Sequence, residues 1–214
     1  QATAYTIVEI QTPGADGDAS QHEDEFVETS GIVTAVGSAS FFMQDGEGEY
    51  SGIFVYGTPP DGLAEGDNVT VVGTVDEYYG LTELVADEST INSTGNALPA
   101  ATVITTGDVN TEPYEGVLVN TSGTCDSEAN NYGEWTVDDG SGSAMADDMF
   151  YPGDDDTFSP TYGYLYDVTG PVTYTYSNFK IQPRNAADIV ETVQTGGCTD
   201  PTAVNYDADA DYND

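Results

Sequence analysis

The residues best suited to chemistry stand near the end of the chain. From Gly196 the sequence runs GGCTDPTAVNYDADADYND, with Asp207, Asp209 and Asp211 at every second position and Asp214 beyond them. A hard cation needs several oxygens at once, and an Asp-x-Asp-x-Asp run on a loop can aim alternate carboxylates at one ion while backbone carbonyls complete the shell. The chemistry expected there is Ca2+ binding, with Asp200 and Asn205 as helpers. Asp154, Asp155 and Asp156 form a second candidate cluster, and the turn acids Asp45, Glu47 and Glu49 a weaker third. The competing reading is a solvated acidic stretch.

Other chemistry is poorly supplied. His22 is the sole histidine and, within SQHEDEF, reads as an exposed loop residue. No nucleophile elbow, HExxH pattern or paired Cys and His is present. The pairs Asp138 with Asp139 and Asp147 with Asp148 could do acid and base work on a glycosidic bond. With 39 Asp and Glu in the chain, such pairs also arise by chance, and no enzyme activity is expected. Cys125 and Cys198 have no CxxC spacing and no His partner, which leaves a disulfide or two free thiols. Pairing them would close a loop of about 70 residues, contribute roughly 4 kcal/mol and imply an oxidising compartment. Tyr78, Tyr79, Tyr174 and Tyr176 lie near equivalent hairpins, where rings could stack on sugars, although half-buried strand tyrosine is the plainer reading.

The balance of charge restricts the partners. Against its acids the chain carries two cations, Lys180 and Arg184, for a net charge of −37 over 214 residues. Affinity for a polyanion grows with the number of phosphates neutralised by Lys and Arg, so nucleic acid is excluded as an expected partner and anionic membranes are repelled. No apolar run reaches the roughly 18 residues of a membrane span. The two cations are expected to pair with acids such as Asp188 and to hold their part of the fold together.

The elements that must position these groups are strands. Hydrophobic residues make up 38% of the chain, with 15 Tyr and 7 Phe, too apolar and aromatic for a disordered acidic tail. Glu25 to Val36 reads as a strand, and FFMQDGEGEYSGIFVY as a hairpin around Asp45 to Gly48. After a breaker-rich loop, DNVTVVGTVDEYY places Val69, Val71 and Val75 on one face, and a turn at Gly80 leads into LTELV. The same order recurs from Pro113: YEGVLVNTSGTC, then EWTVDDGSGSAMADDMFY, a second breaker-rich loop, and YLYDVTGPVTYTYSNFKI. An internal duplication of about five strands per copy suits two small Greek-key barrels.

The strand order carried by VTAVGSASFFMQDGEGEYSGIFVYG and GDNVTVVGTVDEYYGLTEL resembles the OB-fold domains attached to secreted bacterial nucleases and other extracellular proteins. VTGPVTYTYSNFKIQPRNAADI is similar to a more divergent copy. The resemblance implies export and a bacterial source, and it marks a barrel without marking an active site. The acidic end is similar to the Asp-rich, cysteine-bounded tail modules of secreted Bacteroidota proteins and, more distantly, to thrombospondin type 3 calcium repeats. In those modules a second cysteine follows the acidic run. None follows here, so Cys198 turns back to Cys125, pairs in further sequence, or pairs with another chain.

The expectation is therefore an all-β chain of two tandem OB-like barrels, residues 5–98 and 101–191, followed by an acidic calcium-binding tail, 192–214. The expected role is that of a secreted, non-enzymatic structural protein, its signal peptide removed, whose partners are copies of itself. Ca2+ bridges and the extended ends, residues 1–11 and 192–214, would join subunits into a filament. The alternative is an accessory module, carbohydrate-binding or anchoring, of a larger secreted hydrolase or adhesin. A third reading treats the acidity as adaptation to high salt.

Overall fold

The computed structural model describes residues 1–15, 17–151, 158, 160–192, 196–198, 200–206, 208 and 212–213. Its first half holds β1 (Thr3–Ala4), helix α1 (Ile7–Gln11), β2 (Phe26–Val36), β3 (Ser40–Gln44), β4 (Gly52–Tyr56), β5 (Asn68–Tyr78) and β6 (Leu81–Ser93). The second holds β7 (Thr102–Val103), β8 (Leu118–Ser127), β9 (Trp135–Asp138), β10 (Ala144–Ala146), β11 (Leu165–Thr175), β12 (Asn178–Ile181) and β13 (Ile189–Thr192). Further on, β14 (Gly196–Gly197) pairs in parallel with β15 (Tyr212–Asn213).

Each half closes on itself. In the first, β2 pairs with both β3 and β5, β3 with β4, β4 in parallel with β6, and β6 with β5. In the second, β8 pairs with β9 and β11, β9 with β10, β10 in parallel with β12, and β12 with β11. Both are five-stranded OB-type barrels, the architecture that the duplicated sequence predicts. The repetition reaches fine detail: β2 is bulged between Val33 and Ala35, and β8 between Cys125 and Ser127. Gly73 and Gly170 hold the same position on β5 and β11. A Cβ on either would lie 2.2 Å from the Val85 carbonyl oxygen or 2.4 Å from that of Gln182, a backbone approach only glycine permits.

Alternation along the strands fills each interior. Val69, Val71 and Val75 join Phe41, Met43, Ile53 and Val55 in the first core, while Trp135, Val137, Tyr166, Val168 and Val172 pack in the second. The first eleven residues are not an extended arm. Thr3 and Ala4 pair in parallel with β2, and Thr6 with Glu9 forms a capping box that starts α1. Ile7 and Ile10 are fully buried in the first core. Asp45 Oδ2 accepts the Ile7 N–H at 2.7 Å, so this turn acid closes the helix start.

The barrels meet through backbone as well as side chains. A Cβ on Gly52 would fall 2.1 Å from the Gly116 carbonyl oxygen. Gln44 Oε1 accepts the Leu118 N–H at 2.5 Å, and Glu115 Oε1 the Thr82 N–H at 2.8 Å. Burial pushes the Glu115 carboxyl well above the usual carboxylate range, with the neighbouring Glu112 adding to it. Ala35, Phe42, Phe54 and Leu81 turn outward from the first barrel and are covered by Phe150 and Tyr174 of the second. Arg184 grips Asp188 through Nε and Nη2, both at 2.7 Å, and its Nη1 reaches Thr34 O and Glu65 on the first barrel. It thus ties the two barrels together as well as holding the second.

Candidate functional site

The repeated register makes the two barrels comparable residue by residue. On β6, Glu83 pairs with Phe54 of β4 and Asp76 of β5; on β12, Lys180 pairs with Met145 of β10 and Thr173 of β11. Glu83 and Lys180 are therefore the same position. By the same registers Phe42 corresponds to Thr136, and Leu81 to Asn178. The outer face that Phe42, Phe54 and Leu81 make apolar on the first barrel is covered by the second. On the second barrel this face is polar and open.

A cleft of about 560 Å3 lies there, lined by Tyr132, Glu134, Asp147, Tyr176, Asn178 and Lys180. Tyr132 comes from the loop between β8 and β9, and Tyr176 from the turn between β11 and β12; these two loops bound the oligomer-binding face of an OB barrel. Both rings are exposed, at 79% and 92%. Tyr176 and Ser177 have φ of 51° and 65°, and Tyr79 and Gly80 of the first barrel 54° and 93°, the left-handed pair of a two-residue hairpin turn. The floor is charged. Lys180, only 2% exposed, bonds Glu134 Oε1 at 2.5 Å and Asp147 Oδ2 at 3.1 Å. Burial works against its charge, yet the two carboxylates outweigh burial and hold its pKa above the ordinary lysine value. The bond from Lys180, helped by one from Asn130, keeps Glu134 below the usual range. Burial raises the carboxyl of Asp148, with Asp147 beside it adding repulsion.

The other sequence-predicted residues are scattered. Tyr78 and Tyr79 are exposed and meet edge to face at 4.9 Å, on the tip of the first barrel. Tyr174 packs on Phe179 at 4.7 Å and on the inter-barrel cluster, so of the four tyrosines Tyr176 alone enters the cleft. Asp200 Oδ1 accepts from the Thr202 N–H and hydroxyl at 2.8 and 2.7 Å, bonds that lower its pKa, and Asn205 is exposed on the following turn. Asp154, Asp155, Asp156, Asp207, Asp209, Asp211 and Asp214 lie outside the described residues. Among the described residues no three His, Cys, Asp or Glu side chains are placed to hold a metal ion. Cys125 and Cys198 are both free, the second of the two alternatives their spacing leaves open; Cys125 is buried and its Sγ lies 3.4 Å from Ser127 O. His22 is not an exposed loop residue. Its ring stacks on Tyr5 at 4.0 Å and faces Glu25 at 3.1 Å.

No family profile matches the chain. Over 186 residues it is 31% identical to Endonuclease YhcR of Bacillus subtilis (strain 168), a match covering 78% of this chain and 15% of that protein. Among solved structures, a murine DNA binding protein bound with ds DNA superposes with a TM-score of 0.38 at 8% identity, covering 77% of this chain and 97% of the other. The Ifi202 HINa domain in complex with 20bp dsDNA gives 0.37 at 10%, covering 77% and 94%. At such scores these superpositions carry no argument about function, and the fold rests on the strand pairings above.

The similarity to an endonuclease overturns three expectations: a non-enzymatic protein, a Ca-bridged filament of its own copies, and the exclusion of nucleic acid. The charge argument counted phosphate contacts alone and set aside recognition through base faces, which needs no cation. The filament argument needed a free N-terminal arm, and residues 3–11 are bound into the first barrel. Among the described residues no helix is long and apolar enough to cross a membrane.

The sequence reading missed Tyr132, Glu134 and Asn178. A signal was present: a lone lysine within an apolar strand of a chain with 39 acids must be held by carboxylates, and an aromatic beside one of them, as in NNYGEW, marks a candidate rim.

Proposed function

We propose that the chain is the tandem-barrel segment of a secreted, endonuclease-type protein, and that the open face of its second barrel engages single-stranded nucleic acid through the bases. The observation that carries this reading is the 31% identity to Endonuclease YhcR over 186 residues, a stretch longer than either barrel. Because the chain spans 15% of that protein's length, the reading assigns it engagement of the strand. Scission is to be measured beside it.

The physics of such an interface is unusual. Lys180 is buried and Arg184 partly buried, and both are neutralised by carboxylates, so neither is free to take a phosphate. What the second barrel offers is two exposed rings beside a polar floor, and stacking on an aromatic contributes about 1–3 kcal/mol per base. Phosphates must be tolerated in spite of a net charge of −37. Ca2+ at the acidic tail, the expected cofactor, would lessen that repulsion, since divalent ions bridge carboxylate and phosphate oxygens. An extracellular setting fits the likeness to OB domains of secreted nucleases.

The test is fluorescence anisotropy with short labelled single strands and a matched duplex, across a NaCl series with and without Ca2+. Single strands should bind, duplex should not, and affinity should rise as NaCl is raised from low levels because salt screens repulsion. Proteins that hold phosphates with Lys and Arg show the opposite slope. Absence of single-strand binding at every salt and Ca2+ level would sink the reading. Cleavage of the strand by this chain alone would replace engagement with catalysis.

A further inference from the structure

We propose that the cleft of the second barrel selects guanine, reading its Watson–Crick edge with Asp147, Asn178 and Lys180 while the base stacks on Tyr132 or Tyr176. This rests on the nucleic-acid reading above and names the base it takes.

The argument is an inventory of hydrogen-bonding capacity in the cleft. Asp147 commits Oδ2 to Lys180 and leaves Oδ1 without a bond among the described residues. Both Glu134 oxygens already have a partner, Oε1 in Lys180 and Oε2 in Asn130 Nδ2 at 2.8 Å. Asn178 donates one of its two Nδ2 hydrogens to Tyr176 O at 2.9 Å, leaving its carbonyl oxygen as an open acceptor and the other hydrogen as a donor. The Lys180 ammonium has three hydrogens, of which Glu134 and Asp147 take two. The cleft therefore presents two unbonded acceptor oxygens, one charged donor and one amide donor.

Guanine has the complementary edge, with N1–H and the N2 amino group as adjacent donors and O6 as acceptor. Cytosine and adenine each present a single exocyclic amino donor on that edge, so either would leave one of the two open oxygens facing an unprotonated ring nitrogen or no partner. Thymine offers one donor between two acceptors. Single-stranded recognition proceeds by such edges once a base is unstacked, and a carboxylate paired with a buried ammonium is fixed in place before the base arrives. Charge favours the same choice. In a chain this acidic, specificity drawn from a donor-rich base edge needs no new cation.

The experiment uses thymidine oligonucleotides carrying one central guanine, adenine, cytosine or inosine, titrated into the full chain at a salt level where the all-thymidine strand binds. The guanine strand should bind about tenfold more tightly than the others, the discrimination expected of one good bidentate contact. Inosine, which lacks the N2 amino group, should lose most of that advantage without any change to the protein. Asp147→Asn should bring the four strands to within about twofold of one another, and Tyr176→Ala should weaken all of them together. Equal affinity for guanine, inosine and adenine strands in the unaltered protein overturns the guanine proposal and leaves strand engagement standing. Failure of every strand to bind overturns both.

Discussion

The two barrels share strand order, bulge, hairpin turn and close-approach glycines, yet at one shared position the first buries Glu83 and the second buries Lys180. Around Glu83 the outer face is apolar, with Phe42, Phe54 and Leu81 packed beneath Phe150. Around Lys180 it is charged and open, with Glu134 and Asp147 at bonding distance. Desolvation, with Asp76 nearby, raises the carboxyl of Glu83 from 4.5 to about 7. The comparison teaches that duplication preserved the barrel and divided the labour of one surface. In the first copy it became an interface, and in the second a cleft.

The largest expected effect breaks the charged face. Lys180→Met strands Glu134 and Asp147 without their cation and should lower stability by about 3–5 kcal/mol, the usual penalty for removing one member of a buried pair; urea unfolding measures it. Phe150→Ala attacks the apolar face instead. Its ring lies 5.2 Å from that of Phe42, and its loss should lower stability by about 3 kcal/mol, with limited proteolysis showing the barrels loosened while strand binding by the intact cleft persists.

The pH dependence sharpens the contrast. Because Glu83 binds its proton more tightly folded than unfolded, its contribution is complete below the ordinary value of 4.5 and is lost as pH rises through about 7. Glu112, also raised to about 7 by burial and by Asp18 and Glu77, acts in the same direction. Glu83→Gln should flatten the decline of melting temperature across that window and leave the protein more stable at pH 8 by on the order of 1 kcal/mol, after allowing for solvent screening. The smallest effect concerns the hairpin tips. Tyr79→Asn and Tyr176→Asn each relieve a left-handed tyrosine and should stabilise by about 0.5–1 kcal/mol, but only the second should weaken strand binding.

The fold was legible because duplication doubled its signal. Two hairpins with acidic glycine-rich turns, and two long strands of alternating Val and Tyr, gave the same order twice. Helix α1 was missed although Thr6 and Glu9 spell a capping box, because five residues are too few to establish a period. The two-residue spacing of Tyr174 and Tyr176 would set both rings on one strand face. Parity fails at Tyr176, where φ of 51° turns the chain. The cleft was illegible for a different reason. Its carboxylates stand just before β9 and just after β10 and its lysine on β12, and only the parallel pairing of β10 with β12 brings Asp147 to Lys180. Net charge, read as a sum, also concealed that both cations were already spoken for.

The shared outer face also limits how far an array of these barrels can grow. The second barrel caps the first because Phe42, Phe54 and Leu81 invite a neighbour. At the matching positions it carries Thr136, Met145 and Asn178 around a buried ammonium, and a further copy docking in the same way would have to desolvate the partly exposed carboxylates of Glu134 and Asp147. The same outer face thus takes a neighbour on the first barrel and on the second is left open for a ligand.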